Sequence, residues 1–296
     1  MRLSRPTFLL PIIAASFLAV GCGSDSDSDS DKDGGSKKDS KTSSSIATPA
    51  PLKAGGDFVV CTDVPYPPAE FMEGTKFVGY EIDFMTEVAD RIGTKAVYEK
   101  TLFDAIIPSL NAKKCDAIIS SMNVTPDRAK QVNFVEYMEI GQSLMVRKGE
   151  GDGISSLDDL SGKSVAVQVG TTLKDALDAR SKELKAAGKK PIKVETFPDG
   201  GAAAAALKTD KVDVFFADSP VVADYVNKDA DAFEFAGEPI DALAVGIALR
   251  KDDTEMNEAI QKAVDAMYSD GTVVDIFSEW NVQDFVLTNT DSSDEA

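Results

Sequence analysis

The chain has 296 residues, with 50 acidic against 31 basic side chains, a formal net charge of −19 and no histidine. Such a balance argues against nucleic acid or anionic lipid as partners, because both are held by a basic surface. The lack of histidine removes the commonest general base and the commonest zinc ligand, and no CxxC, GxSxG or phosphate-loop motif is present, so no cofactor or metal is expected.

The first 22 residues, MRLSRPTFLLPIIAASFLAVGC, read as a secretion signal. Arg2 and Arg5 precede an apolar stretch, residues 7–20, that is too short to span a bilayer comfortably. The end, Leu18-Ala19-Val20-Gly21-Cys22, resembles a bacterial lipobox, although Ala19 stands where leucine is commonest. That resemblance implies a lipidated Cys22 attached to the cell membrane; a plain secreted protein is the alternative. Residues 23–55, rich in Ser, Asp, Gly and Lys, bury too little apolar surface to fold and read as a flexible tether. The acidic tail, 288–296, is of the same kind.

In between, strands and helices alternate. FVVCTD (58–63) is a strand, and Asp83 is placed to cap a helix through Arg91 with Phe84, Val88 and Ile92 on one face. FDAIIPSLNAKK (103–114) reads as a helix and CDAIISS (115–121) as a strand. Thr125 is then an N-cap and Pro126 the first position of a short helix. Arg128 in its first turn opposes the helix dipole, an arrangement that makes sense if an anion sits between the guanidinium and the backbone N–H groups. A surface arginine paired with a carboxylate is the alternative. Further on come strand SVAVQVGTT (164–172), helix LKDALDARSKELKAAG (173–188), helix GGAAAAALKTDK (200–211) and strand VDVFFADS (212–219). Alternation of this kind predicts an α/β fold with sheets covered on both faces.

Two units repeat. LNAKKCDAIISS (110–121) and LKTDKVDVFFADS (207–219) share a leucine, an aspartate six places later and an apolar strand, whose tips carry Ser121 and Asp218. Ligands of open α/β sheets bind beyond the carboxyl ends of strands. QSLMVRKGEG (142–151) and LAVGIALRKDD (243–253) read as two crossovers. The predicted organisation is a first lobe over 56–147, a second over 148–246 and a return to the first over 247–287, with the two crossing strands as a hinge. Cys61 and Cys115 allow one disulfide or two buried thiols.

At this point the chain resembles a family, the type-3 periplasmic solute-binding proteins, receptors for polar amino acids in ABC importers. The resemblance runs over 57–286 and rests on TDVPYPPAEF (62–71), GYEIDFMTEVADRIG (79–93), FDAIIPSLNAKKCDAIISSMNVTPDR (103–128), VQVGTT (167–172), KVDVFFADSPVVADY (211–225) and AMYSDGTVVDIFSEW (266–280). It implies the type II periplasmic-binding-protein fold, a Venus flytrap of two α/β lobes that closes over one small L-amino acid, and an ABC permease as the membrane partner of a monomeric extracytoplasmic receptor.

Carried over, Arg128 matches the arginine that clamps the ligand's α-carboxylate, with Thr171 and Thr172 gripping the same group. Asp218 matches the acceptor of the α-ammonium and Ser121 its counterpart in the first lobe, while Tyr66 and Phe103 match aromatic walls around the side chain. Asp63 and Gln168 stand where family members sort one side chain from another. Asn123 departs from the usual Thr or Ser at a ligand-contacting position, and Ala69 replaces a commonly aromatic residue, which predicts a wider cleft mouth. Asp63 beside Asp218 favours glutamine or a basic amino acid over an acidic one. Two other functions fit the same frame: a dehydratase of cyclic amino-acid precursors, for which Asp63 or Glu70 is the visible acid, and a sensor acting through a separate signalling partner.

Overall fold

The computed structural model describes residues 46–53 and 55–285, so the signal, Cys22, the tether up to residue 45 and the acidic tail lie outside the described residues. In chain order the first half comprises α1 (Ala50–Lys53), β1 (Phe58–Thr62), a hairpin of β2 (Phe71–Glu73) and β3 (Lys76–Val78), α2 (Tyr80–Arg91), β4 (Ala96–Lys100), α3 (Phe103–Asn111), β5 (Ala117–Ile118), α4 (Pro126–Ala129) and β6 (Asn133–Arg147). Next come β7 (Ser164–Gln168), α5 (Thr172–Ala186), β8 (Lys193–Phe197), α6 (Gly200–Lys208), β9 (Val214–Asp218) and α7 (Ser219–Lys228). The long strand β10 (Phe233–Leu249) leads back to α8 (Thr254–Asp270) and α9 (Thr272–Glu279).

One sheet runs β4-β1-β5-β10-β6-β9-β7-β8. β1 lies parallel between β4 and β5, and β7 lies parallel between β8 and β9. The antiparallel pair β6 and β10 joins the two groups. Each of these long strands serves two lobes. Ile140 and Val245 lie in the first lobe's core, whereas Leu144 and Ala236 lie in the second's. The crossing therefore falls inside the strands, between Ile140 and Leu144 and between Ala236 and Val245, where the register of the pair shifts repeatedly. That is a few residues before the boundaries predicted at 147 and 246, because the apolar half-strands bury against different layers.

Period-two alternation builds those layers. In the second lobe Val165, Val167 and Phe216 face one apolar cluster, while Ala166, Phe215 and Ala217 face the other. In the first, Phe58, Val60, Ala117 and Ile119 pack on α2, α8 and α9, while Cys61 and Ile118 pack on α3. Cys61 and Cys115 are joined as a disulfide on that second face.

The sequence repeat is a structural one. Asp116 accepts the Val59 N–H at the start of β1, and Asp213 accepts the Ser164 N–H at the start of β7. Arg250 donates to the carbonyls of Leu110 and Cys115; Arg147 donates to those of Leu207 and Val212, the matching positions. The basic residues at the ends of the two crossing strands thus tie each lobe's helix–strand turn to the hinge.

Three local expectations need correction. Helix α2 begins at Tyr80 rather than Asp83: Gly79 has φ +132° and a Cβ there would meet the Ala69 carbonyl oxygen at 2.0 Å, so the turn admits only glycine. Asp83 instead accepts the Trp280 indole N–H at 2.8 Å. Ala69 is fully buried in the first core and does not line the cleft. The tether predicted through residue 55 stops short: Leu52 is buried, Ile46 packs on the same cluster and the Ala50 N–H donates to Glu255. Apolar side chains scattered among polar ones were enough to dock this segment. Among the described residues no helix is long and apolar enough to cross a membrane.

Candidate functional site

Strand tips from both lobes meet in one cleft lined by Asp63, Tyr66, Glu70, Phe103, Ser120, Ser121, Asn123, Gln168, Thr171, Leu173 and Asp218. From the first lobe, the chain beyond β1 presents Asp63, whose N–H donates to Ser120 Oγ at 3.1 Å. Ser121, beyond β5, is held at φ +40°. Its N–H and hydroxyl both donate to the Glu81 carboxylate. Thr125 caps α4 as expected, accepting from the Arg128 N–H at 3.3 Å, and the Arg128 guanidinium lies over the Phe103 ring at 5.3 Å.

From the second lobe, Thr171 caps α5 through the Lys174 N–H and donates to the Gln168 carbonyl at 2.8 Å. Among the described residues five hydrogen bonds made by side chains cross between the lobes at the cleft, one of them from the Asp218 N–H to the Tyr66 hydroxyl at 3.3 Å. Tyr66 OH donates to Asp218 Oδ2 at 2.8 Å, and Gln168 Nε2 donates to Asp63 Oδ2. Arg128 Nη2 donates to the Gly170 carbonyl at 3.1 Å, and Thr172 Oγ1 to Asn123 Oδ1 at 2.7 Å. The approach is close because the first residues of α6 are glycines: a Cβ on Gly200 would meet the Tyr66 ring at 2.6 Å, and one on Gly201 would meet Pro65 at 2.8 Å. Counted to its mouth the cleft holds about 300 Å³ of empty space, and these bonds run across it. A ligand therefore has to part some of them.

The cleft is rich in buried carboxyls. Burial pushes Asp63 up to about 6 against the opposing Gln168 bond, and pushes Asp218 up to about 7 despite the bond from Tyr66. Asp63 Oδ1, Asp218 Oδ1 and Glu70 Oε2 are buried acceptors without a donor among the described residues, and Asn123 Nδ2 is a donor without an acceptor. An ionised carboxylate with an open lone pair in such surroundings costs free energy until a cationic donor reaches it. The Arg128 guanidinium supplies the opposite charge at one end.

Eight of the ten residues singled out for binding line the cleft: Asp63, Tyr66, Phe103, Ser121, Asn123, Gln168, Thr171 and Asp218. Arg128 and Thr172 border the adjoining groove with Thr125, Gly170 and Asp175. Asp63 and Gln168, read as separate selectors, are bonded to each other. Sequence reasoning missed Ser120 and Leu173 and saw Glu70 only as a conceivable acid. It also missed Glu81, buried behind Ser121, because the helix was expected to begin two residues later, at Asp83. The Gly-Gly pair at 200–201 was the one sequence signal of a close approach that went unread.

With this geometry in view, similarity to known proteins is informative. The profile of the bacterial extracellular solute-binding proteins, family 3, matches residues 58–283. The L-cystine-binding protein TcyJ of Escherichia coli (strain K12) is 28% identical over 231 residues, covering 77% of this chain and 84% of that one. The histidine-binding periplasmic protein of the same organism is 30% identical over 244 residues, covering 79% and 88%. Among solved structures, an ancestral arginine-binding protein bound to arginine matches with a TM-score of 0.70 at 36% identity, covering 76% of this chain and 98% of that one. The chain belongs to the family 3 bacterial extracellular solute-binding proteins.

Proposed function

We propose that the protein is the substrate-binding receptor of an ABC importer, held outside the cell membrane through Cys22, and that it captures a small L-amino acid that is basic, or failing that glutamine. One observation carries the choice of ligand. Asp63 and Asp218 each present a buried oxygen with no donor among the described residues, in a cleft bordered by Arg128, whose charge acts on Asp218.

In this reading the α-carboxylate lies against Arg128, Asn123 Nδ2 and the N-terminal end of α5 at Thr171 and Thr172. The α-ammonium takes Asp218 Oδ1 and the Ser121 hydroxyl, which still has acceptor capacity while donating to Glu81. The side chain passes between Tyr66 and Phe103 towards Asp63 and Gln168. A cationic ligand matches the charges pairwise: carboxylate with Arg128, ammonium with Asp218, side chain with Asp63. A neutral side chain leaves Asp63 protonated, and an acidic one sets two carboxyls against each other. Each charge-assisted hydrogen bond contributes about 1.5–3 kcal/mol. Four at the upper end of that range, about 12 kcal/mol, less about 4 kcal/mol for association and ordering, reach the ~8 kcal/mol that corresponds to micromolar affinity.

Thermal unfolding of the chain, stripped of carried-over ligand, with each of the twenty amino acids tests the proposal. A ligand at a hundredfold excess over Kd adds about 2.7 kcal/mol of stability. Upward shifts confined to arginine, lysine, histidine and glutamine are expected. Shifts with aspartate or glutamate alone sink the assignment of Asp63, and no shift with any of them sinks the receptor reading. Incubation with cyclic dehydratase substrates then tests the enzyme alternative, for which the raised carboxyl of Asp63 is the supporting observation.

A further inference from the structure

One acid in the cleft wall and one behind it form a pair that the ligand-contact scheme leaves unexplained. Glu70, just before β2, is 1% exposed, and Glu81, in the first turn of α2, is fully buried. Glu81 receives the Ser121 N–H, the Ser121 hydroxyl and the Tyr137 hydroxyl. Glu70 receives a single donor, Ser120 Oγ on Oε1 at 2.8 Å, and its Oε2 is buried without a donor among the described residues. The two carboxyl groups are in hydrogen-bonding contact with each other. Two ionised carboxylates only accept, so such a contact needs a proton.

We propose that Glu70 and Glu81 share one proton, carried by Glu70 Oε2 and donated to an ionised Glu81, and that the pair positions the strand-tip residues Asp63, Ser120 and Ser121 for the ligand. The donor count decides where the charge rests. Three hydroxyl and N–H donors converge on Glu81, which also sits at the positive end of α2, whereas Glu70 has one donor. Groups acting on the pair from the surrounding elements agree: Asp63 after β1, Tyr80 on α2, Tyr137 on β6 and Asp218 on β9 are acids or neutral phenols. Arg128 acts on Asp218 at the far side. Burial pushes both carboxyls up; the bonds from Glu70, Tyr137 and Ser121 pull Glu81 back, whereas burial and the charge of Glu81 push Glu70 well above the ordinary carboxylate range.

The geometry makes the pair a positioning device. Glu81 holds Ser121 by two bonds in a left-handed conformation that serine rarely adopts, and Glu70 holds Ser120 Oγ, which in turn receives the Asp63 N–H. Both strand-tip acceptors thus hang on one proton.

Glu70→Gln preserves the pattern, since its amide N–H replaces the shared proton and its oxygen still accepts from Ser120. Glu70→Ala removes both. Carbon-detected NMR of the full chain labelled at glutamate side chains reads the proton directly. One glutamic acid signal that stays protonated at neutral pH, and disappears in Glu70→Gln, is expected. Unfolding stability against pH should decline less steeply above the ordinary glutamate range in Glu70→Gln than in wild type, because the raised Glu70 carboxyl is the group being ionised at a cost. The positioning role rests on the receptor reading: ligand affinity should stay within about threefold in Glu70→Gln and fall by about tenfold or more in Glu70→Ala. Ordinary titration of every glutamate, or equal damage from both variants, overturns the proposal. Failure of every amino acid to bind while the protonated signal persists overturns the receptor reading and the positioning role but leaves the shared proton standing.

Discussion

Asp218→Asn should weaken ligand binding and strengthen the ligand-free fold, and the two effects should separate with pH. Burial raises the Asp218 carboxyl from its ordinary 3.8 to about 7, with Glu81 adding and the bond from Tyr66 and the charge of Arg128 opposing. A carboxyl whose folded value is raised contributes its full stability below the ordinary value. That contribution is lost as pH climbs from about 4 to about 7 and changes no further above it. At about 1.4 kcal/mol per pH unit, the wild type carries a cost of up to about 4 kcal/mol at pH 8 that is absent near pH 4. Asparagine keeps an oxygen for the Tyr66 hydroxyl and does not titrate. The variant should therefore match the wild type's melting temperature in acid and exceed it by several degrees at pH 8, since about 1 kcal/mol moves a domain of this size by ~2–4 °C. Affinity at pH 8 should fall by about ten- to a hundredfold, the loss of a charge-assisted bond to the ammonium. Calorimetric titration and thermal unfolding at both pH values check this. A variant less stable than wild type by the same amount at both values would refute the argument, because Asp218 would then be a structural acceptor and not a held charge.

Arg128→Ala should abolish binding of every amino acid, by about a hundredfold or more, while Asp63→Asn should cost mainly the basic ones; equal loss across all ligands from both, measured by calorimetry, breaks that division of roles. Gly200→Ala drives a methyl into the Tyr66 ring where the lobes meet and should weaken binding about tenfold or more, measured by calorimetry; unchanged affinity means the lobes close differently. Replacing Cys61 and Cys115 by serine opens a loop with a sequence separation of 54 and should lower stability by up to about 4 kcal/mol, read from denaturant unfolding.

The sequence carried the fold well where the information was local. Alternation placed the strands, the Thr125-Pro126 pair fixed α4, and the Leu110–Asp116 repeat of Leu207–Asp213 marked two lobes, because in each lobe the aspartate serves the same strand start. What stayed hidden depended on distance in space. Nothing in GYEIDF tells that Glu81 lies under Ser121, forty residues on. The matching arginines, Arg147 and Arg250, were visible as basic strand ends; they reach the turns through the carboxylates of Asp210 and Asp116 and through backbone carbonyls, and the carbonyls leave no trace in side-chain identity. Whether Cys61 and Cys115 pair was undecidable until β1 and β5 were found side by side.

The closed cleft also fixes how ligand charge couples to protons. Of the cross-lobe bonds, those of Arg128 and Thr172 border the adjoining groove, whereas Gln168–Asp63 and Tyr66–Asp218 occupy the two carboxyls that a cationic ligand would engage. Each neutral bond is worth only about 0.5–1.5 kcal/mol net, so it holds the lobes together weakly and yields to a charged competitor. The competitor must find its carboxylates ionised. Without ligand Asp218 is ionised only above about 7 and Asp63 only above about 6. A basic amino acid, engaging both, should release two protons on binding below pH 6, one between 6 and 7, and none above. Glutamine, engaging Asp218 as a charge and Asp63 as a neutral acid, should release one below pH 6 and none between 6 and 7. Affinity for the basic ligand should accordingly rise with pH up to about 7, by as much as tenfold per unit for each proton released, and then level off. Calorimetry in buffers of different ionisation enthalpy counts the protons. A count of zero for the basic ligand at pH 5 would mean that both carboxyls are ionised before the ligand arrives; the open lone pairs on Asp63 and Asp218 would then belong to the protein's own solvation and not to the recognition of charge.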